Sequence, residues 1–504
     1  MFPADMLNAL GQSPAFAPLW KVLSQIPGDR LALLMRLYAT VPSSTTQKSV
    51  TGGFLKNVSD NPEFFEWLRR IATHLSEKPL EKFFQNFIVN SVIEGTRRRF
   101  EVKREHGFLG PYTIVINPTM KCNLKCTGCY AYNFDKGAHM DYDLLRKVLS
   151  EARDLGTRFI TVSGGEPLAY PHFERMAEEF NDLIFMNYTN GTLIDEKKAR
   201  RLAELGNVWP AISVEGYEAE TELRRGAGVW SKVQRAMRNL RDAGVMFGFS
   251  ATPTRLNSDL LAEDRFVDYY LEQGALFGWM FQYVPVGLDP DVNLMATPQQ
   301  RDRVRQATKR WQVTKPIFVG DFWNDGACVG GCMSASKYCY VTPEGKVQPC
   351  TFVHFHTHNV RDNTLTEIFQ SPFFSAIRGM QPYSRNLLRP CKIIDNPQDL
   401  RDVVERCHAQ PTYEGADNIV RSPEVKAHLD QYAAEWRKVA DAAWASDVYN
   451  EGRSVLVPFL GRINVYDIWP DRMQNAEQVS AEKAAAEVVT HPDPTPVRGH
   501  AAPR

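Results

Sequence analysis

The sequence predicts an α/β protein built on a partial (β/α)6 barrel, with a helical N-terminal domain and a small cysteine-bearing α+β C-terminal domain. Three observations predict it. Apolar runs of strand length alternate with helical stretches from about residue 107 onward. Residues 1–106 carry helical spacing instead. The cysteines fall into two groups, one inside the alternating region and one beyond it.

In the N-terminal domain, helical spacing recurs in DRLALLMRLYA, EFFEWLRRIATHL and LEKFFQNFIVNSVI, with the loop VPSSTTQKSVTGG after the first. The third stretch places Leu80, Phe83, Phe84, Phe87, Ile88 and Ile93 toward one side and runs into Arg97, Arg98 and Arg99. That is the pattern of an interfacial membrane helix and, since amphipathic helices are usually core elements, more often of a helix packed on the barrel.

Across 107–310, six apolar runs read as strands: YTIVINP (112–118), RFITVSG (158–164), IFMNYTN (184–190), WPAISVE (209–215), MFGFSAT (246–252) and FGWMFQYVPV (277–286). Stretches such as YDLLRKVLSEARDLG and WSKVQRAMRNLRDAG separate them as helices. This alternation implies a parallel sheet with right-handed crossovers. Six units of about 30 residues suggest a barrel open on one side rather than a closed eight-fold one. Residues 311–410 form the second cysteine region. Residues 411–475 are a helical segment, clearest over 422–446, and 476–504 read as a disordered tail ending HPDPTPVRGHAAPR.

The 504 residues balance 59 Lys+Arg against 59 Asp+Glu, with 43% apolar content, so no electrostatic footprint for nucleic acid is expected. The start, MFPADMLNALGQ, lacks a secretory pattern, and no apolar run reaches membrane-spanning length. Nine cysteines without an export signal point to metal or redox use in the cytoplasm. The apolar helix stripe would add peripheral contact at the inner face of a membrane.

Cys122, Cys126 and Cys129 lie in MKCNLKCTGCYAY, directly after the first strand. Such spacing lets three thiolates hold one [4Fe–4S] cube and leaves its fourth iron without a protein ligand. Zinc sites usually need four ligands, commonly as two separated pairs. The loop falls at the carboxyl edge of the strands, where α/β active sites are built.

Here the chain resembles the radical S-adenosylmethionine (SAM) superfamily, marked by CxxxCxxC followed by an aromatic residue after the first strand of a six-unit partial barrel. Further motifs follow in order over residues 108–310. Ser163-Gly164-Gly165-Glu166-Pro167 is similar to the family's GGEP, and Thr189-Asn190-Gly191-Thr192 to its TNG segment. Ser213-Val214-Glu215-Gly216, Arg224-Arg225-Gly226 and Val284-Pro285-Val286-Gly287 complete the series. The resemblance implies that SAM binds the open iron and that reductive cleavage yields a 5′-deoxyadenosyl radical able to abstract a substrate hydrogen. It implies cluster ligation by Cys122, Cys126 and Cys129. It implies SAM contacts from Gly164, Gly165, Glu166, Asn190, Ser213, Glu215 and Arg225, with Val286, Gly287 and the ring of Tyr130 holding adenine. An electron donor such as flavodoxin or ferredoxin is expected.

The second region, Cys332-MSASKYCYVTPE-Gly345-KVQP-Cys350, resembles the opening of the SPASM and twitch extensions, which bind auxiliary Fe–S clusters. Pro343-Glu344-Gly345 supplies hairpin turn chemistry between its two strands. Cys391 is the expected third ligand. The fourth could be Cys407, Cys328, Cys339, a histidine among His354, His356 and His358, or substrate. The dense terminal cysteine array of a full SPASM domain is missing, so one auxiliary [4Fe–4S] cluster is expected. VHFHTH could bind a metal or form a polar strand face. In VGDFWNDG, Asp321, Asn324 and Asp325 beside an aromatic pair suggest an active-site loop or a capped turn.

The helix stripe and the aromatic strand FGWMFQYVPVG favour a lipid or other hydrophobic small molecule as substrate. The alternative is peptide modification, since SPASM-type clusters are common among peptide maturases. A non-catalytic Fe–S carrier or redox sensor would leave the SAM-contacting motifs without purpose.

Overall fold

The computed structural model describes residues 62–131 and 135–446, together with strands Ser454–Val457 and Gly461–Asn464. The helix expected in DRLALLMRLYA and the tail from 476 lie outside the described residues.

The alternating pattern becomes a parallel sheet. Its strands are β1 (Thr113–Ile116), β2 (Phe159–Val162), β3 (Ile184–Thr189), β4 (Val208–Val214), β5 (Gly248–Ala251), β6 (Phe277–Met280) and β7 (Phe318–Asp321). Each pairs in parallel with the next. The hairpin of β8 (Tyr340–Val341) and β9 (Val347–Gln348) joins at β1, with β8 parallel to it. The order is β7-β6-β5-β4-β3-β2-β1-β8-β9, so the sheet is open, with β7 and β9 at its edges. The α/β fold expected from the sequence is therefore present.

Two features of the sheet differ from the sequence pattern. It runs past residue 310 on one edge through β7 and takes in the second cysteine region on the other. The sixth strand also ends at Met280 rather than near 286. Phe281 and Tyr283 still donate to the carbonyls of Ala251 and Pro253, but Pro285 has no N–H to continue a ladder.

Alternation along each strand separates two faces. Ile160, Val162, Ile212, Val214 and Phe249 share one core with Leu145, Val148, Leu202 and Met237 of the crossover helices. Helix starts are fixed by sequence: Asp141 and Asp195 accept from Leu144 N and Lys198 N as N-caps. The opposite face is plugged at its lower end by the N-terminal helices. Ile184, Trp209, Met246 and Phe277 pack there with Phe64, Phe65, Trp67, Leu75 and Phe83. Trp67 Nε1 donates to Leu276 O at 2.6 Å, and Phe83 stacks on Trp209 with ring centroids 6.0 Å apart.

This plug corrects the membrane reading of the stripe. The chain runs from Glu77–Lys82 into a π-helical stretch, Phe83–Glu94, and then helix Gly95–His106. Leu80, Phe83 and Ile93 are buried, and Phe84, Phe87 and Ile88 pack half-buried against the same cluster. Burying each large apolar side chain is worth about 1.5–3 kcal/mol, so the stripe is spent on the sheet. Arg97 and Arg98 pair with Glu94, Glu101 and Glu105. Buried Arg99 donates to Gly156 O and covers the Tyr112 ring. Among the described residues no helix is long and apolar enough to cross a membrane.

Candidate functional site at the carboxyl edge of the sheet

The cysteine loop follows β1 and is fastened by the ends of the next three strands. From β2, Gly165 N and Glu166 N donate to Thr119 O and Lys121 O at 2.9 and 2.8 Å, extending strand-like pairing into the loop. This explains the two glycines. A Cβ on Gly164 (φ +127°) would lie 2.0 Å from Asn117 Oδ1, and one on Gly165 2.4 Å from Lys121 O. Their nearest neighbour is thus the cysteine loop itself.

From β3, Asn190 Nδ2 donates to Asn123 Oδ1 at 2.8 Å, and Asn123 Nδ2 donates to Thr192 Oγ1 at 2.8 Å. After β4, Thr127 N donates to Arg224 O at 2.9 Å and Arg224 Nε to Thr127 O at 3.2 Å.

Glu166 sits beneath this clamp, 1% exposed. Its Oε1 accepts from Thr189 Oγ1 at 2.7 Å and Leu168 N at 3.1 Å, and its Oε2 accepts from Asn190 N at 2.8 Å. A carboxylate offers about four acceptor positions, so one remains. Burial pushes its carboxyl pKa up, against those three hydrogen bonds.

Glu215 is equally buried. Its Oε1 lies 2.7 Å from Arg224 Nη1 and 2.5 Å from Arg225 Nη2, while its Oε2 is buried without a partner. The guanidinium of Arg225 is therefore already committed to a carboxylate. Burial raises the Cys126 thiol pKa, and Arg225 and Arg224 partly offset this. Burial also raises that of Cys122. Ser213 is half-buried and in register with Ser250 across β4 and β5.

A cavity of about 300 Å³ adjoins the loop, lined by Cys126, Cys129, Tyr130, Tyr283, Val286 and Gly287 among others. Val286 and Gly287 thus share this cavity with Cys126 and Cys129. The Tyr130 phenol is engaged elsewhere, 3.1 Å from Ser163 Oγ, with its ring packed against Phe352 and His354. The sequence reading missed Tyr283. A Cβ on Gly128 would fall 2.9 Å from the Tyr283 ring, so the missing side chain at 128 makes room for this aromatic wall. Only the small residue between Cys126 and Cys129 hinted at it.

Cys332, Cys350 and Cys391 gather around one phenol. Tyr338 Oη donates to Cys350 Sγ at 2.8 Å, and the thiols of Cys332 and Cys391 act on the same group electrostatically. Ser334 ties their segments together. Its Oγ donates to Pro349 O at 2.7 Å and accepts from the Lys392 ammonium. Among the candidates for a fourth ligand, Cys339 lies fully buried, its thiol pKa pushed up by burial alone. The Cys328 thiol is near the Lys309 ammonium, and Cys407 packs half-buried against the core.

The three histidines of VHFHTH do not converge. His354 contacts Thr351 O at 3.0 Å, His356 contacts Thr412 Oγ1 and His358 contacts Thr357 Oγ1. Burial lowers the His354 pKa to about 4. Among the described residues no three Cys, His, Asp or Glu side chains are placed to share a single metal ion. In VGDFWNDG the turn reading fits the polar residues. Asn324 Nδ2 donates to Asp321 Oδ2 at 2.7 Å, and Asp325 accepts from Asp321 N and Lys309 Nζ.

Three clamped thiols beside a cavity, with buried unpartnered acceptors at Glu215 Oε2 and Asn117 Oδ1, form a donor set that could take an iron–sulfur cluster and a polar cationic ligand. Residues 116–252 match the radical SAM superfamily, and residues 332–393 match the SPASM iron–sulfur cluster-binding domain. The chain is 25% identical over 346 residues to the AdoMet-dependent heme synthase of Nitratidesulfovibrio vulgaris, covering 60% of this chain and 89% of that protein. It is 26% identical over 318 residues to the PqqA peptide cyclase of Methylorubrum extorquens, covering 56% and 78%. Streptococcus suis SuiB bound to S-adenosylmethionine shares the fold at TM-score 0.50 and 18% identity, over 59% of this chain and 76% of that one.

Proposed function

Because the chain is a radical SAM enzyme with a SPASM-type cluster region, we propose that it abstracts hydrogen from an unactivated carbon of a peptide substrate. When bound, the [4Fe–4S] cluster and SAM supply the 5′-deoxyadenosyl radical. The observation that carries this reading is the cysteine loop, clamped from three strand ends beside the 300 Å³ cavity.

Each residue has a role in the proposal. Cys122, Cys126 and Cys129 hold the cluster, and Arg224 and Arg225 offset its negative charge. The free acceptor position of Glu166 and the unpartnered Oε2 of Glu215 receive polar groups of SAM. Tyr283, Val286 and Gly287 enclose the base. Cys332, Cys350 and Cys391 hold one auxiliary cluster around Tyr338. A small electron-transfer protein such as flavodoxin or ferredoxin supplies the electron.

Two observations support a peptide. A relative covering most of its own length is a peptide cyclase by name. Half-buried Tyr188, Trp279, Phe281 and Phe322 form a linked aromatic wall, suited to an apolar side chain. The lipid expectation keeps only that wall, since the helix stripe is buried against the sheet. A tetrapyrrole is the second reading, favoured by the likeness to the heme synthase.

Anaerobic reconstitution with dithionite and SAM should release 5′-deoxyadenosine, and the Cys126→Ala protein should release none. Peptide and tetrapyrrole profiles of a deletion strain separate the substrates. A changed peptide mass supports the proposal. A tetrapyrrole change with unaltered peptides replaces it.

A further inference from the structure

Lys392 follows Cys391 and is 1% exposed. Its ammonium donates to Ser334 Oγ and has no carboxylate within ion-pair distance among the described residues. A buried ammonium without a counter-charge costs several kcal/mol, so the fold leaves a place for an anion here. The neighbouring groups say which kind. Ser334 lies two residues from Cys332 and bonds to Pro349 O, next to Cys350. The ammonium is thus anchored where the three cysteine segments meet.

The sulfur atoms are also approached by donors. Cys350 Sγ accepts from Tyr338 Oη at 2.8 Å and from Phe352 N at 3.5 Å, and Cys391 Sγ from Ile393 N at 3.3 Å. Donors aimed at sulfur, with a buried cation held by the serine that joins the cysteine segments, suit thiolates in an anionic cluster.

We propose that Lys392 and Tyr338 set the reduction potential of the auxiliary cluster, Lys392 as its buried counter-charge and Tyr338 as hydrogen-bond donor to the Cys350 thiolate. Reduction adds one electron to an anion. A buried positive charge and a donor to sulfur both stabilise the reduced form, and so raise the potential. Both are positioning residues that act through the thiolates. The inference rests on the cluster assignment above and is independent of the substrate.

The test uses the full chain carrying Cys122→Ala, Cys126→Ala and Cys129→Ala, reconstituted with iron and sulfide, so that only the auxiliary site can load. Iron is counted, and the cluster is titrated with dithionite under electron paramagnetic resonance. The expected result is retained iron in the parent and a shift to more negative potential in both Tyr338→Phe and Lys392→Met. Lys392→Arg, which keeps the charge, should stay near the parent. Iron lost from Lys392→Met but kept in Lys392→Arg also supports the counter-charge. Equal potentials in parent, Tyr338→Phe and Lys392→Met overturn the proposal. A parent without iron overturns it through the auxiliary assignment, and 5′-deoxyadenosine release by the unsubstituted chain would then show the primary site still standing.

Discussion

Asn190, just past the end of β3, donates its side-chain amide to Asn123 Oδ1 at 2.8 Å and so ties the third strand to the middle of the cysteine loop. Thr192 closes the circuit, accepting from Asn123 and donating to Asn190 Oδ1 at 2.7 Å. The loop is short and must keep three thiolates in one arrangement, so its rigidity comes from such outside contacts. Asn190→Ala removes one side of the clamp, worth about 1–2 kcal/mol. Iron should then leave for a chelator on the order of tenfold faster under anaerobic conditions, by the usual conversion of about 1.4 kcal/mol per decade. An unchanged rate would show that the clamp does not support the cluster.

Glu215 balances two guanidiniums while 1% exposed, with Arg224 at 16% and Arg225 at 12% side-chain exposure. Removing one partner from such a group strands buried charge and costs roughly 3–5 kcal/mol. Glu215→Leu should therefore lower the urea midpoint markedly. Glu215→Gln, keeping a hydrogen-bond acceptor, should lower it less. Equal midpoints for all three proteins would mean that water screens the arginines.

Asp321 is buried, and burial together with the Asp325 charge pushes its pKa up to about 6. The direction fixes the sign. A carboxyl raised in the folded chain contributes fully below its unfolded range, and that contribution is lost as pH rises through about 6. Comparing urea unfolding at about pH 5 and about pH 7.5, the natural chain should lose roughly 1–3 kcal/mol relative to Asp321→Asn. A gain across that interval would contradict the assignment.

The sheet and its cysteine loop were legible because both are written in spacing. Six apolar runs separated by helices leave few alternatives to a parallel sheet, and three cysteines on one turn leave few alternatives to a cluster. The β8–β9 hairpin was legible from its turn, Pro343-Glu344-Gly345, but its docking on β1 was not. β7 was not legible, because Phe318–Asp321 carries Gly320 and Asp321, residues depleted in strands. The stripe at Phe83 and Phe87 was visible, but amphipathicity does not reveal what covers a face, and here it is Trp209. Gly164 and Gly165 signal close approach by their identity alone. Only the structure shows that the cysteine loop makes it. Lys392 looks like any surface lysine until its burial is seen.

Tyr283 is the case in which an absence in sequence became a presence in space. Gly128, at φ +67°, has no side chain, and the Tyr283 ring occupies the volume its Cβ would touch. The ring is 7% exposed and forms a wall of the cavity beside Cys126 and Cys129. An aromatic face there can stack on a purine, and such stacking is worth about 0.5–1.5 kcal/mol beyond the area buried. Tyr283→Ala should therefore weaken SAM binding to the cluster-loaded protein by roughly tenfold, read by equilibrium dialysis. Tyr283→Phe, which keeps the ring, should bind within about twofold of the parent. Should Tyr283→Ala bind SAM as tightly as the parent with its iron intact, the base lies elsewhere and this wall serves another part of the reaction.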